Sequence, residues 1–245
     1  GRTHGGKPFL RQPLPPGLPN FNFNVSHDGR WVALASDPLR LVGADVSAPQ
    51  RARGDHEDDR WMDDLQCILL ESEQERIRAE ISVRTRYAVF QRIWSAKEAV
   101  TKAVGQGLDF GLERIEVRLE GEDAPSAWSE LAAWWRSRRQ DATAVADPPA
   151  PRAQDPAPWA AVNIDLWPRS DWQLQQQELP DGHWVTVALG AVEEAVDQNG
   201  EFSATLRLRG CDAELRRLVP ASPPRFEILP VSALVPEALA DAYRA

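Results

Sequence analysis

The 245-residue chain holds one methionine, Met62, and only three lysines, Lys7, Lys97 and Lys102, among its 28 basic residues. Every other cation is arginine, so two lysines within six residues stand out against the background. Cysteine is equally scarce: Cys67 and Cys211 lie far apart, which excludes a disulfide framework and any paired-cysteine metal or redox spacing. No apolar run approaches the length of a membrane span. The first residues, GRTHGGKPFL, lack the apolar stretch of a secretory leader. These absences read as a cytoplasmic protein. Positive charge is also in deficit, with 37 acidic residues giving a net charge of −9. That balance excludes nucleic acid and anionic membrane as main partners, while leaving room for a local basic pocket. What remains, 42% hydrophobic and 27% charged, suits one or two packed domains.

The order of patterns predicts an α+β fold. Residues 1–20 are rich in Gly and Pro and read as an extended linker. The runs FNFNVS and RWVALAS flank Asp28-Gly29, a hairpin signal, and LRLVGADV reads as a further strand ending at Asp45. Residues 47–60 read as a polar loop. Ser72 and Glu75 suggest a capping box for a short helix. From Thr85 to Val104, Tyr87, Phe90, Ile93, Trp94, Val100 and Val104 recur at three- and four-residue steps, predicting a long helix closed by Gly105. ERIEVRLE alternates like a half-buried strand, and WQLQQQEL and HWVTVAL form a second hairpin about Pro180-Asp181-Gly182. Between them, residues 121–171 read as a low-complexity insertion containing one amphipathic helix, WSELAAWWRSRR. Residues 190–245 read as an extension of strand-like FSATLRLRG, Pro-rich linkers and a helical ALADAYRA.

Few residues offer chemistry. Trp94, Glu98 and Lys102 share a helix stripe; spacing alone allows an ordinary surface Glu–Lys pair or a phosphate-handling lysine beside a carboxylate. Asp45 at a strand end is either a turn former or, facing Glu98, half of a Mg²⁺ site, an ion content with few protein carboxylates. Ser26-His27 is not a nucleophilic dyad, so acyl-enzyme chemistry is set aside. Gly5-Gly6-Lys7-Pro8 lacks the spacing of a phosphate-binding loop.

Taken in order, GKP (6–8), FNVSHDGRWVALAS (23–36), VGADV (42–46) and WSAKEAVTKAVGQGL (94–108) resemble the surfactin-type 4′-phosphopantetheinyl transferases. The nearest flavour is the eukaryotic branch serving aminoadipate reductase, an enzyme of lysine biosynthesis, and fatty-acid and polyketide synthases. The resemblance covers residues 3–120 and resumes over 172–189. It implies a transferase domain over 21–120 and 172–189, with an antiparallel sheet packed on a long helix. It implies Mg²⁺ bound by Asp45 and Glu98, and coenzyme A as co-substrate held by Lys102, Ser26 and His27. Lys7 and Pro8 would line the adenine and 3′-phosphate. Glu73 is a candidate for orienting or deprotonating the acceptor serine, and Trp94 and Lys97 would support the helix. The partners implied are apo acyl or peptidyl carrier proteins, with the enzyme a monomer.

Two departures follow from the same resemblance. Ser47 stands where many relatives carry a second acid, so a water would complete the metal's shell. Relatives are pseudo-dimers, and this chain is expected to correspond to the second half, exposing an apolar patch where the first half would pack. The alternative is a half-module that binds coenzyme A or a carrier protein without turnover.

Overall fold

A computed structural model describes residues 1–11, 14, 17–49, 60–119, 159–169, 171–208 and 226–230. Among them the elements run β1 (Asn22–Asp28), β2 (Trp31–Asp37), β3 (Leu41–Ser47), α1 (Arg60–Leu65), α2 (Glu71–Arg78), α3 (Val83–Val104), β4 (Ile115–Leu119), β5 (Trp159–Ile164), β6 (Trp167–Pro168), β7 (Gln173–Glu178) and β8 (Trp184–Gly190). The main antiparallel sheet has the order β3-β8-β7-β5-β4, with β6 paired to β5, while β1 and β2 form a separate hairpin. The fold is α+β, as the patterning implies. The helix WSELAAWWRSRR, most of the 47–60 loop, and ALADAYRA lie outside the described residues.

The long helix α3 starts where Ser82 accepts the Thr85 amide and ends at Gly105, whose φ of 90° only glycine adopts cheaply. Its Ala96, Ala99 and Ala103 let it sink against β3. Gly43 is the point of closest approach: a Cβ there would overlap the Ala99 carbonyl and the Ala103 amide nitrogen. One face of β3 therefore looks at α3. The other, Val42, Ala44 and Val46, packs beneath Ala33 of β2 and Phe226.

The hairpin β1–β2 forms about Gly29 as expected, but its polarity is inverted. Asn22, Asn24 and Ser26 are buried, and Val25, Val32 and Leu34 face outward, the last two each 70% exposed. The inward polar groups run along the free side of β3. Asn22 Oδ1 accepts the amide of Val42, Asn24 Oδ1 that of Ala44, Ser26 Oγ that of Val46 and Asp28 Oδ2 that of Ala48, at 2.9–3.2 Å. Side chains thus satisfy β3 where a neighbouring backbone normally would.

Four boundaries differ from the sequence reading. Residues 1–9 are a compact hook rather than an extended linker: the Thr3 amide donates to the Lys7 carbonyl, the Gly6 amide closes the turn on the Thr3 carbonyl, and Phe9 is buried against Phe202. Residues 159–168, assigned to the 121–171 insertion, supply β5 and β6, and β5 sits between β7 and β4. Pro-rich surroundings hide this strand, whose register joins Val117 to Val162 across the core. Part of the 190–245 extension belongs to the same core, where Val192, Phe202 and Leu206 are buried. There, residues 203–205 form a 3-10 turn instead of a strand. Finally, α2 begins at Glu71, and Glu73, not Ser72 with Glu75, closes its start by accepting the Leu70 amide.

Candidate functional site

Asp45 sits on the face of β3 that looks at α3, two residues after Gly43. Lys102 lies on the last turn of α3, and a helical side chain leans towards the N-terminus of its own helix. Its ammonium therefore reaches back to Asp45: Nζ is 2.6 Å from Oδ1 and 3.0 Å from Ser26 Oγ. The Ser26 hydroxyl lies 3.3 Å from the same carboxylate oxygen. Three elements, β1, β3 and α3, thus meet at one cluster.

Electrostatically the cluster is unfinished. Burial pushes the Asp45 carboxyl above the ordinary carboxylate range, while Lys102 and the hydroxyls of Ser95 and Ser26 pull it back. Oδ2 is sealed from solvent and accepts no hydrogen bond from the described residues. A buried carboxylate oxygen left this way is costly, and a cation ligated there would relieve it. Glu98, half-buried one turn before Lys102, is the second carboxylate on that stripe. No group of three or more His, Cys, Asp or Glu gathers as a metal cage among the described residues. Two carboxylates completed by water and phosphate oxygens suit Mg²⁺, so the donor set fits that ion.

Other expected residues are placed differently. His27 is exposed, because alternation along β1 sends it to the face opposite Ser26. Pro8 is half-buried in the hook, bridged to Arg2. The Lys7 ammonium does not face the cluster's carboxylate: it is buried, 2.5 Å from the Val42 carbonyl and 3.4 Å from that of Lys102. Burial lowers its pKa to about 7. A phosphate-facing ammonium at Lys7 gives way to one spent on backbone carbonyls. Glu73 likewise gives way. Its Oε2 pairs with Lys97 Nζ at 2.6 Å and accepts the Leu70 amide, and its Oε1 accepts the Val117 amide at 2.8 Å. With side chains 1% and 0% exposed, Glu73 and Lys97 form an internal strut with no opening for an acceptor serine. Trp94 packs on Phe90 along α3. Ser95 and the inward asparagines of β1 were missed, although the alternation of polar and apolar residues in NFNVS marks the latter.

Two family models match this chain: the 4′-phosphopantetheinyl transferase superfamily over residues 41–146, and the 4′-phosphopantetheinyl transferase N-terminal family over residues 1–39. The chain belongs to the 4′-phosphopantetheinyl transferase superfamily. Their junction falls between β2 and β3, so Ser26 and the pair Asp45–Lys102 come from different matched segments. A phosphopantetheinyl transferase of Thraustochytrium sp. is 36% identical over 125 residues, covering 49% of this chain and 42% of the relative. The L-aminoadipate-semialdehyde dehydrogenase-phosphopantetheinyl transferase of Xenopus laevis is 38% identical over 115 residues, covering 47% of this chain and 38% of the relative. The rat protein of the same name is 34% identical over 202 residues, 82% of this chain and 56% of its own length. The chain spans about half the length of the curated relatives it matches. Among the described residues no helix is long and apolar enough to cross a membrane.

Proposed function

We propose that this chain carries the metal and phosphate-handling half of a cytoplasmic holo-carrier-protein synthase. The reaction moves 4′-phosphopantetheine from coenzyme A to a serine of an apo carrier protein, and releases 3′,5′-ADP. The observation that carries the reading is the Asp45–Lys102–Ser26 cluster, whose buried Asp45 Oδ2 accepts no hydrogen bond from the described residues.

In the step itself the acceptor serine oxygen forms a bond to the β-phosphorus. The bond from that phosphorus to the bridging oxygen breaks, its electron pair stays on 3′,5′-ADP, and the serine proton passes to water. Asp45 and Glu98 would hold Mg²⁺, which supplies Lewis-acid polarisation of phosphate oxygens when bound. Lys102, a compact cation on a flexible stem, offsets charge gathering on the 5′-phosphate of the leaving 3′,5′-ADP. Ser26 keeps that ammonium beside the carboxylate. His27, on the exposed side of β1, is a candidate for contacting the outer phosphates. Neither the sealed Glu73 nor the buried Lys7 ammonium is given a chemical task.

The carrier domains of aminoadipate reductase or of fatty-acid and polyketide synthases are the proposed acceptors, in line with the names of the animal relatives. The outward face of Val25, Val32 and Leu34 supports a two-lobed full-length protein, with the other lobe packed on that face. A half-module that binds without turnover is the competing outcome of the same assay. Mg²⁺-dependent transfer from coenzyme A to an apo carrier protein, read by mass spectrometry, should be abolished by Glu98→Gln and by Lys102→Ala while the circular dichroism spectrum is kept. Undiminished transfer in either variant removes the assignment; binding of coenzyme A without transfer selects the half-module.

A further inference from the structure

The hook formed by residues 1–9 grips the end of α3. Thr3 Oγ1 donates to the Gly105 carbonyl at 2.9 Å and accepts the Lys7 amide at 3.1 Å. Gly5 lies so close to the backbone of Gly105 and Gln106 that a Cβ would overlap both. The Lys7 stem runs past Gly105, and its ammonium ends over the Phe202 ring at 5.7 Å. The last carbonyls of a helix have no partner within it and form the negative end of its dipole. Here Thr101 O takes the Gly105 amide, Val104 O takes the Val196 amide, and Lys102 O takes Lys7.

We propose that Lys7 is a positioning residue for the Asp45–Lys102 pair. From inside the core it joins two carbonyls, that of Val42, three residues before Asp45 on β3, and that of Lys102 itself on α3. The distance between the strand bearing the carboxylate and the helix turn bearing the cation is set at this tie. The Gly43 contact, one residue on, fixes the approach of the helix but not the rotation of its final turn. Lys7 and Thr3 fix that rotation, holding Lys102 where its side chain reaches Asp45 and Ser26. The consequence for transfer rests on the transferase reading; the placement of Lys102 does not.

The scarcity of lysine makes this directly measurable. The side chains of Lys7 and Lys97 are sealed, whereas that of Lys102 is 28% exposed. Amine acetylation under limiting reagent therefore reads Lys102 among the three lysines, peptide by peptide, in a mass spectrometer. Lys7→Met should raise the acetylation rate of Lys102 at least fivefold, with the circular dichroism spectrum of the whole chain kept. Thr3→Val, which frees the same turn through Gly105, should raise it in the same direction, and decides the matter if Lys7→Met does not fold. An unchanged Lys102 rate in the folded variants overturns the proposal. In the transfer assay Lys7→Met should lower kcat about tenfold and leave KM for coenzyme A within twofold. A raised KM at unchanged kcat would instead make Lys7 a binding residue and also overturn it. If the wild-type chain binds no coenzyme A and transfers nothing, the transferase reading falls while the acetylation result still stands.

Discussion

Exchanging Lys97 for methionine keeps an unbranched apolar stem and removes the ammonium group. Glu73 is then left in the core with two amide donors, from Leu70 and Val117, and no counter-ion. The carbonyls of Ile68 and Leu112 lose their donor at the same time. Breaking a buried pair from one side costs about 3–5 kcal/mol. Part of that cost can be shed, because burial already pushes the Glu73 carboxyl upward even with Lys97 beside it. Taking up a proton neutralises the orphan, so the lower end, about 3 kcal/mol at pH 7, is the expected loss. A chain of this size loses roughly 2–4 °C of Tm per kcal/mol, which puts the fall at about 6–12 °C. The pH dependence has a definite sign. A carboxyl that binds its proton more tightly folded than unfolded favours the fold as pH falls, so the deficit should narrow between pH 7 and pH 5. Adding Glu73→Gln should recover at least half of the loss, since no charge then remains buried. Scanning calorimetry at the two pH values tests all three statements. A Tm for Lys97→Met within 2 °C of wild type at both would refute the strut.

Two further outcomes follow from the same packing. Gly43→Ala places a Cβ against backbone atoms that cannot rotate aside, so destabilisation of about 3 kcal/mol or more is expected from urea unfolding; an unchanged midpoint would mean that α3 does not lie so close. Asn24→Ala leaves the Ala44 amide without its acceptor at a cost of about 1–2 kcal/mol, and hydrogen exchange at Ala44 should quicken markedly. Exchange at the wild-type rate would remove Asn24 from the seam.

Much of the architecture is legible in the residues because local rules and global packing agree there. The stripe of Tyr87, Phe90, Ile93 and Val100 followed by Gly105 can hardly be anything but α3, and Asp-Gly turns announce both hairpins. Glu98 and Lys102 were legible together because a four-residue step carries them to one side of α3, whereas the ion pair of Lys102 with Asp45, a strand residue, is visible only in the fold. The misreadings share a physical cause. Polarity is a poor guide to direction where polar groups find partners inside, as Asn22, Asn24, Lys7 and Glu73 all do. Nothing local to Lys7 shows that its ammonium will end on the carbonyls of residues 42 and 102. Likewise β5 is a six-residue strand whose longest pairing is with β4, far back along the chain, and Phe202 enters the core from a segment of short turns with no long periodic run.

The row of β1 side chains along β3 has a consequence for how this protein behaves in company. A strand at the margin of a sheet offers its amides to any extended segment that drifts past, and that is how soluble chains begin to stack. Along β3 and just past its end, the amides of residues 42, 44, 46 and 48 are already taken by short side chains that cannot themselves continue a ladder. The sheet is thereby terminated chemically on the strand that bears Asp45. An apolar β1 in place of NFNVSHD would pack as well in hydrophobic terms and leave that margin free to recruit a second copy.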